Sequence, residues 1–328
     1  MLRRWLTIAV ILTAPSACDN VKWGGIDVHM QTPPTRAEAS PGATAERTDS
    51  TSAPVHEAGP LLLAGTRSGD SATLVVVGDV EGDSLGAFPG DSAAHGTRDD
   101  ATARVLSPGS DLVLFSGGVR VGHMKVSSTG VDSSYCVPRP TVSGVVEVVP
   151  EAAAAQRLMA LPPSAAATRP YEPYHAYHHT YDQRVASLNL AAAAIRKLGA
   201  AWPTSLLDSR ADIQAFQLAD TDAFAATFVF RDRLAVGPPP AGAYSLFVMG
   251  MEQAGSYQQS YMAYRAVADQ GKGDPRYFDH LDWNGDGTQE ILLDVFGASR
   301  RWFAGLGRRG GSWVQTFQDF CGASGTGR

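Results

Sequence analysis

Cysteine is scarce, with three in 328 residues. That is too few for a disulfide-built scaffold, and the spacing is wrong for a zinc ribbon. Charge is scarce too. Asp, Glu, Lys and Arg make up 18 % of the chain, below the roughly 25 % usual in soluble domains. The net charge is −6 and no long basic block occurs, which excludes sequence-independent binding of nucleic acid through its phosphates. Catalytic signatures are scarce as well: there is no P-loop or H-E-x-x-H. No residue is therefore singled out as catalytic. The apolar run at 5–14 would span about 15 Å as a helix, half the hydrocarbon thickness, and is too short to cross a membrane. Apolar residues are plentiful at 44 %, enough to bury one large core or two modest ones.

The N-terminus has the order of an export signal over residues 1–18: Arg3 and Arg4, the apolar run, then Ser16, Ala17 and Cys18. A cysteine at that point resembles the lipobox of bacterial lipoproteins, with Pro15 standing where Leu is usual. The resemblance implies an acylated Cys18 as the mature first residue. It also implies a bacterial cell-envelope address, facing the periplasm or exterior, with a lipid anchor in the membrane in place of a spanning helix. The alternative is ordinary secretion with Cys18 a bystander. Export leaves Cys136 and Cys321 as an even pair in an oxidising compartment. They form either a disulfide, which the arithmetic favours, or two separate buried thiols.

Residues 31–60 hold five prolines, eight Ser or Thr, one Val and no aromatic. Such a stretch cannot offset its ordering entropy by burial, so 19–60 reads as a disordered tether. Short Val- and Leu-rich runs follow at 61–64, 73–80, 103–106, 111–116, 119–126 and 141–149, separated by Gly, Asp, Ser and Pro. They suggest a small β-sandwich or barrel over 61–150. The stretch 151–160 reads as an alanine-rich helix, opening a Pro-, Tyr- and His-rich linker over 151–184. The clearest helix is 180–200, with apolar residues at helical spacing and Gly199 as its C-cap. Strands are expected at 212–218, 225–230, 243–251, 291–296 and 312–317, while 258–268 fits helix or strand. The region 185–328 thus reads as an α+β domain, and the whole chain as mixed α+β, β-rich.

One loop has specific chemistry. Residues 282–290 read D-W-N-G-D-G-T-Q-E, placing side-chain oxygens at Asp282, Asn284, Asp286 and Glu290, with the Thr288 carbonyl between them. Oxygen donors on alternate residues of a tight loop suit a hard cation such as Ca2+. Position twelve is Leu293 and a β-type run follows, which excludes an EF-hand. The pattern resembles the calcium loops of FG-GAP or VCBS-type repeats, in which the loop joins two strands. That resemblance covers about fifteen residues, implies Asp282, Asn284, Asp286, Thr288 (main chain) and Glu290 as Ca2+ ligands, and makes this a strand-loop-strand calcium motif. A fainter copy 66 residues upstream aligns Asp220 with Asp286, but Phe216 and Leu218 stand at the first two ligand positions. An Asx/Gly turn without an ion is the other reading of the intact loop.

Elsewhere, His175, His178 and His179 lie within five residues, and a shared helical face would let two of them ligate Zn2+ or Cu2+. Packing of the surrounding aromatics on a neighbouring surface is the plainer reading. The expected function is a non-enzymatic, exported and membrane-anchored calcium-binding protein. Its ion is structural, and it acts as a binding or assembly module for a protein or cell-wall partner, with no nucleic acid. The alternative is an exported hydrolase with an active site between the two domains.

Overall fold

The structure is a computed structural model, and it describes residues 59–319 except 83, 87–105 and 170. Cys18, Cys321, the expected tether and most of the expected strand at 103–106 lie outside the described residues. The described residues belong to one compact unit and are β-rich, and among them are three antiparallel sheets and one long helix.

The first sheet is a barrel. It contains β1 (Leu61–Ser68), β2 (Ser71–Glu81), β3 (Ser84–Gly86), β4 (Asp111–Ser116), β5 (Val119–Asp132), β6 (Arg139–Val148) and β7 (Arg157–Leu161). Their order is β1-β7-β4-β5-β6-β2-β3, and β1 also pairs with β2, so six strands close on themselves and β3 hangs outside. Period-two alternation explains the sequence. Leu61, Leu63, Leu74, Val76, Leu112 and Leu114 fill the interior. Leu62, Val75, Val77, Val113 and Phe115 point outward into a second core. Both faces are therefore buried over 61–64 of β1, 74–80 of β2 and 112–116 of β4.

The other two sheets are four-stranded meanders. One consists of β8 (Arg210–Leu218), β9 (Thr221–Phe230), β10 (Tyr244–Gln253) and β11 (Ser256–Ala266). The other consists of β12 (Gly273–Leu281), β13 (Glu290–Gly297), β14 (Arg301–Arg309) and β15 (Ser312–Gln318). The β12–β15 sheet is the middle layer. Phe278, Leu281, Trp283, Leu292 and Phe303 pack on the barrel, while Ile291, Leu293, Val295, Trp302 and Leu306 pack on Phe216, Phe247 and Met249 of the other meander. The helix Tyr181–Leu198 covers the outer face of β8–β11 through Ala191, Ala194 and Ile195. Thr180 and Gln183 form its capping box and Gly199 ends it at φ 63°.

Three expectations are corrected. Residues 151–160 are not a helix: a single 3-10 turn at Pro150–Ala152 leads into β7, whose residues pair with both β1 and β4. Closing the barrel overrides the helix propensity of alanine. The histidine stretch is not helical either, since helix begins only at Tyr181, so His175, His178 and His179 share no helical face. Nor does 151–184 separate two cores, because Leu62, Phe115 and Met159 share one cluster with Trp283, Leu292 and Phe317. The open stretch 258–268 lies mostly in strand β11, and strands β12 and β14 were not anticipated.

A buried ion pair clamps barrel to middle layer. Arg139 donates to the carbonyls of Val76 (2.8 Å) and Val77 (2.7 Å) and to the Asp319 carboxylate, which accepts the Phe303 N–H at 2.9 Å. Removing one member leaves the other as an unpaired buried charge. Arg139→Ala is therefore expected to lower the unfolding free energy by about 3–5 kcal/mol in urea denaturation, and a loss below about 1 kcal/mol would refute the clamp.

Candidate functional site

The loop between Leu281 and Glu290 joins two neighbouring antiparallel strands, β12 and β13. Its base is fixed from inside the core. Trp283 is fully buried and donates its backbone N–H to Glu290 Oε2 at 3.2 Å. Arg169 reaches across from the segment after β7. Its Nε donates to the Asp282 carbonyl at 2.7 Å, and its other nitrogens donate to the carbonyls of Trp283 and Ala165. Two positive-φ glycines, Gly285 (81°) and Gly287 (87°), turn the tip.

The loop's oxygen atoms have defined partners. Asp282 accepts N–H groups from Gly285 (2.6 Å), Asp286 (3.1 Å) and Gly287 (3.0 Å). Asn284 Oδ1 accepts from Asp286 at 2.9 Å, and Asp286 Oδ1 accepts from Thr288 at 2.7 Å. Asp286, Thr288 and Glu290 line one concavity of about 290 Å³ with Arg308 and Gly311. Asp282 and Thr288 also wall a larger cavity of about 520 Å³, with Leu218, Met251 and Trp313 opposite. Three of the five sequence-predicted residues thus share a concavity, while Asp282 and Asn284 turn side-chain oxygens into the loop backbone. Among the described residues, no three His, Cys, Asp or Glu side chains form a metal-holding group. The donor set is all oxygen, and in its chemistry it fits a hard cation.

The other predicted positions are scattered. His175 and His178 edge a separate cavity, and His178 and His179 are exposed. Cys136 is disulfide-bonded, while Cys321 lies outside the described residues. Asp220 sits in the tight β8–β9 turn, next to Ala219 at φ 51°.

A polar cluster at the end of β12 escaped the sequence. Phe278 is an extra residue, a bulge that shifts the register between Tyr277 and Asp279. The bulge reverses strand parity. Tyr277 and His280 consequently meet on one face, hydroxyl to Nδ1, at 2.6 Å. The hydroxyl also donates to Asp279 Oδ1 at 3.4 Å. The glycine turn Gly117-Gly118 fits against them. Gly117 donates its N–H to both Asp279 oxygens at 3.1 Å, and a Cβ at Gly118 would stand 2.6 Å from His280 Nε2. That nitrogen is buried without a hydrogen-bond partner. Burial pushes Asp279 up to about 6, partly opposed by the N–H groups of His280 and Gly117 and by Arg157. Burial also drives His280 down to about 4 and lifts Tyr277 well above its ordinary value. Only the residue types Tyr, Asp and His in four positions signalled this cluster, and regular alternation would have placed Tyr277 and His280 on opposite faces.

No protein-family model, curated protein or solved structure matches the chain. The site is therefore interpreted from its own geometry.

An aspartate whose folded pKa is raised holds its proton more tightly folded than unfolded. It favours the fold at low pH, and that contribution is lost as pH rises from the ordinary 3.8 to about 6. Asp279→Asn keeps acceptors for both N–H groups and removes the charge. Over that window the variant should gain on the wild type by about 3 kcal/mol, read by urea denaturation at a series of pH values. A difference that does not change with pH would contradict the buried, charged carboxylate.

Proposed function

We propose that the chain is an exported, lipid-anchored calcium-binding protein of the bacterial cell envelope, in which a structural ion braces a binding or assembly module. The observation that supports it most is the loop itself. It carries oxygens at alternate positions, closes a hairpin between paired strands, and turns Asp286, Thr288 and Glu290 to one concavity. Asp282, Asn284, Asp286, the Thr288 carbonyl and Glu290 would hold the ion, which neutralises carboxylates crowded into one turn. The same loop walls the cavity of about 520 Å³, so ordering the loop would shape that surface. The ligand would be a protein or cell-wall component.

The hydrolase reading has less support. Its best acid–base candidate, His280, is 1 % exposed and packs behind Gly118. No serine or cysteine hydrogen-bonds to it among the described residues.

Added Ca2+ at one hundred times its Kd should stabilise the fold by about 2.7 kcal/mol, a rise in Tm of roughly 4–5 °C at this chain length. A chelator should reverse the rise, and Asp286→Ala should abolish it. Calorimetry showing no heat, together with an unmoved Tm, would reject the ion.

A further inference from the structure

A second cavity, of about 290 Å³, opens where the barrel, β8 and β12 meet. It has the liquid volume of about ten waters, which suits one small molecule and excludes a folded partner. Phe216 and Tyr277, stacked at 4.5 Å between centroids, form part of its wall with Tyr174, and exposed His175 stands at its edge.

Two groups of opposite charge line this space without contacting each other. Asp279 has a side chain only 7 % exposed. Its Oδ1 accepts the His280 N–H at 2.8 Å, whereas Oδ2 accepts only the shared Gly117 N–H at 3.1 Å. Arg157 donates Nη1 to the Tyr277 carbonyl at 2.7 Å, and its side chain makes no other hydrogen bond among the described residues. The guanidinium is near enough to draw the Asp279 pKa down against burial, yet the two form no ion pair. A buried carboxylate with spare lone pairs is costly to leave unmet, while the partly exposed guanidinium of Arg157 has N–H groups that a ligand can take over from water. A ligand with both charges engages both at once, and a ligand with one engages only one.

We propose that this cavity binds a small zwitterion carrying an ammonium and a carboxylate, the chemistry of a free amino acid. Asp279 takes the ammonium, and the fork of Arg157 takes the carboxylate. The aromatic wall receives the carbon skeleton and adds cation–π attraction for the ammonium. Arg157 repels a bare metal cation, and one carboxylate leaves no complementary site for a dianion. The site does not depend on an ion in the 282–290 loop.

The test is isothermal titration of the full chain, in chelator and again in Ca2+, with a panel of free L-amino acids. Each amino acid is matched by its decarboxylated amine and its deaminated acid. At least one amino acid should bind saturably in both buffers, with each single-charge analogue at least about tenfold weaker. Asp279→Asn and Arg157→Gln should each weaken that amino acid by about tenfold or more, while Arg120→Gln, in the other cavity, should leave it unchanged. If either site variant fails to fold, the analogue series on the wild type decides alone. The proposal is overturned if no amino acid binds at millimolar concentration, or if the amine or the acid binds as tightly as the zwitterion. Binding in Ca2+ alone would overturn the independence from the loop.

Discussion

Strand β13 is buried on both faces along its whole length, so the sheet that contains it can present polar groups only at its ends and edges. Leu292 faces the barrel while Ile291, Leu293 and Val295 face the other meander, an arrangement that needs a nearly continuous apolar run. The polar residues that do occur in β13 have charged or backbone partners, although Asp294 Oδ1 is left without a hydrogen bond. Glu290 accepts the Trp283 N–H, and Asp294 is held by Arg276 at 2.9 Å and Arg301 at 3.7 Å. Chemistry is thereby pushed to two irregular places of the middle sheet, the loop after β12 and the bulge within that strand.

The charge pairs follow the same logic between layers. Arg139 with Asp319, Arg301 with Asp132, and Lys272 with Asp232 each tie segments far apart in sequence. Set against apolar residues of the same volume, such pairs add little net stability. Their effect lies in the penalty for any packing that separates them. A slip of the barrel against β14 would strand Arg139 and Asp319 together, and each would then sit in a dry interior without a counter-charge.

The regular parts of this fold were legible in the sequence because they obey local rules. Strands at 111–116 and 312–317, the helix over 180–200 and its Gly199 cap all follow from alternation, periodicity and breakers. The loop was legible because oxygen-bearing residues and glycines recur at fixed spacing. The rest depends on distant partners. Alanine at 152–155 says helix to any local reading, yet the strand that follows is dictated by the gap between β1 and β4. Arg169, 113 residues from the carbonyl it holds at Asp282, has no local signature. Nor has the Phe278 bulge, which exists because Tyr277 and Leu281 are pulled into cores on opposite sides of the sheet.

Loops from all three sheets come together at one end of the molecule: the Gly117-Gly118 turn of the barrel, the β8–β9 turn at Ala219, and the 282–289 loop. They touch through Gln289, whose Oε1 accepts the Ala219 N–H at 3.4 Å and whose amide nitrogen abuts Gly118. Loops on a rigid scaffold are where binding surfaces are usually built, and the cavity of about 520 Å³ lies among these turns. Because Trp283 roots the last of them in the shared core, a cation that stiffens 282–290 would act on the other two through Gln289 and Gly118. An ion that never touches a ligand would thus still set the shape that the ligand meets.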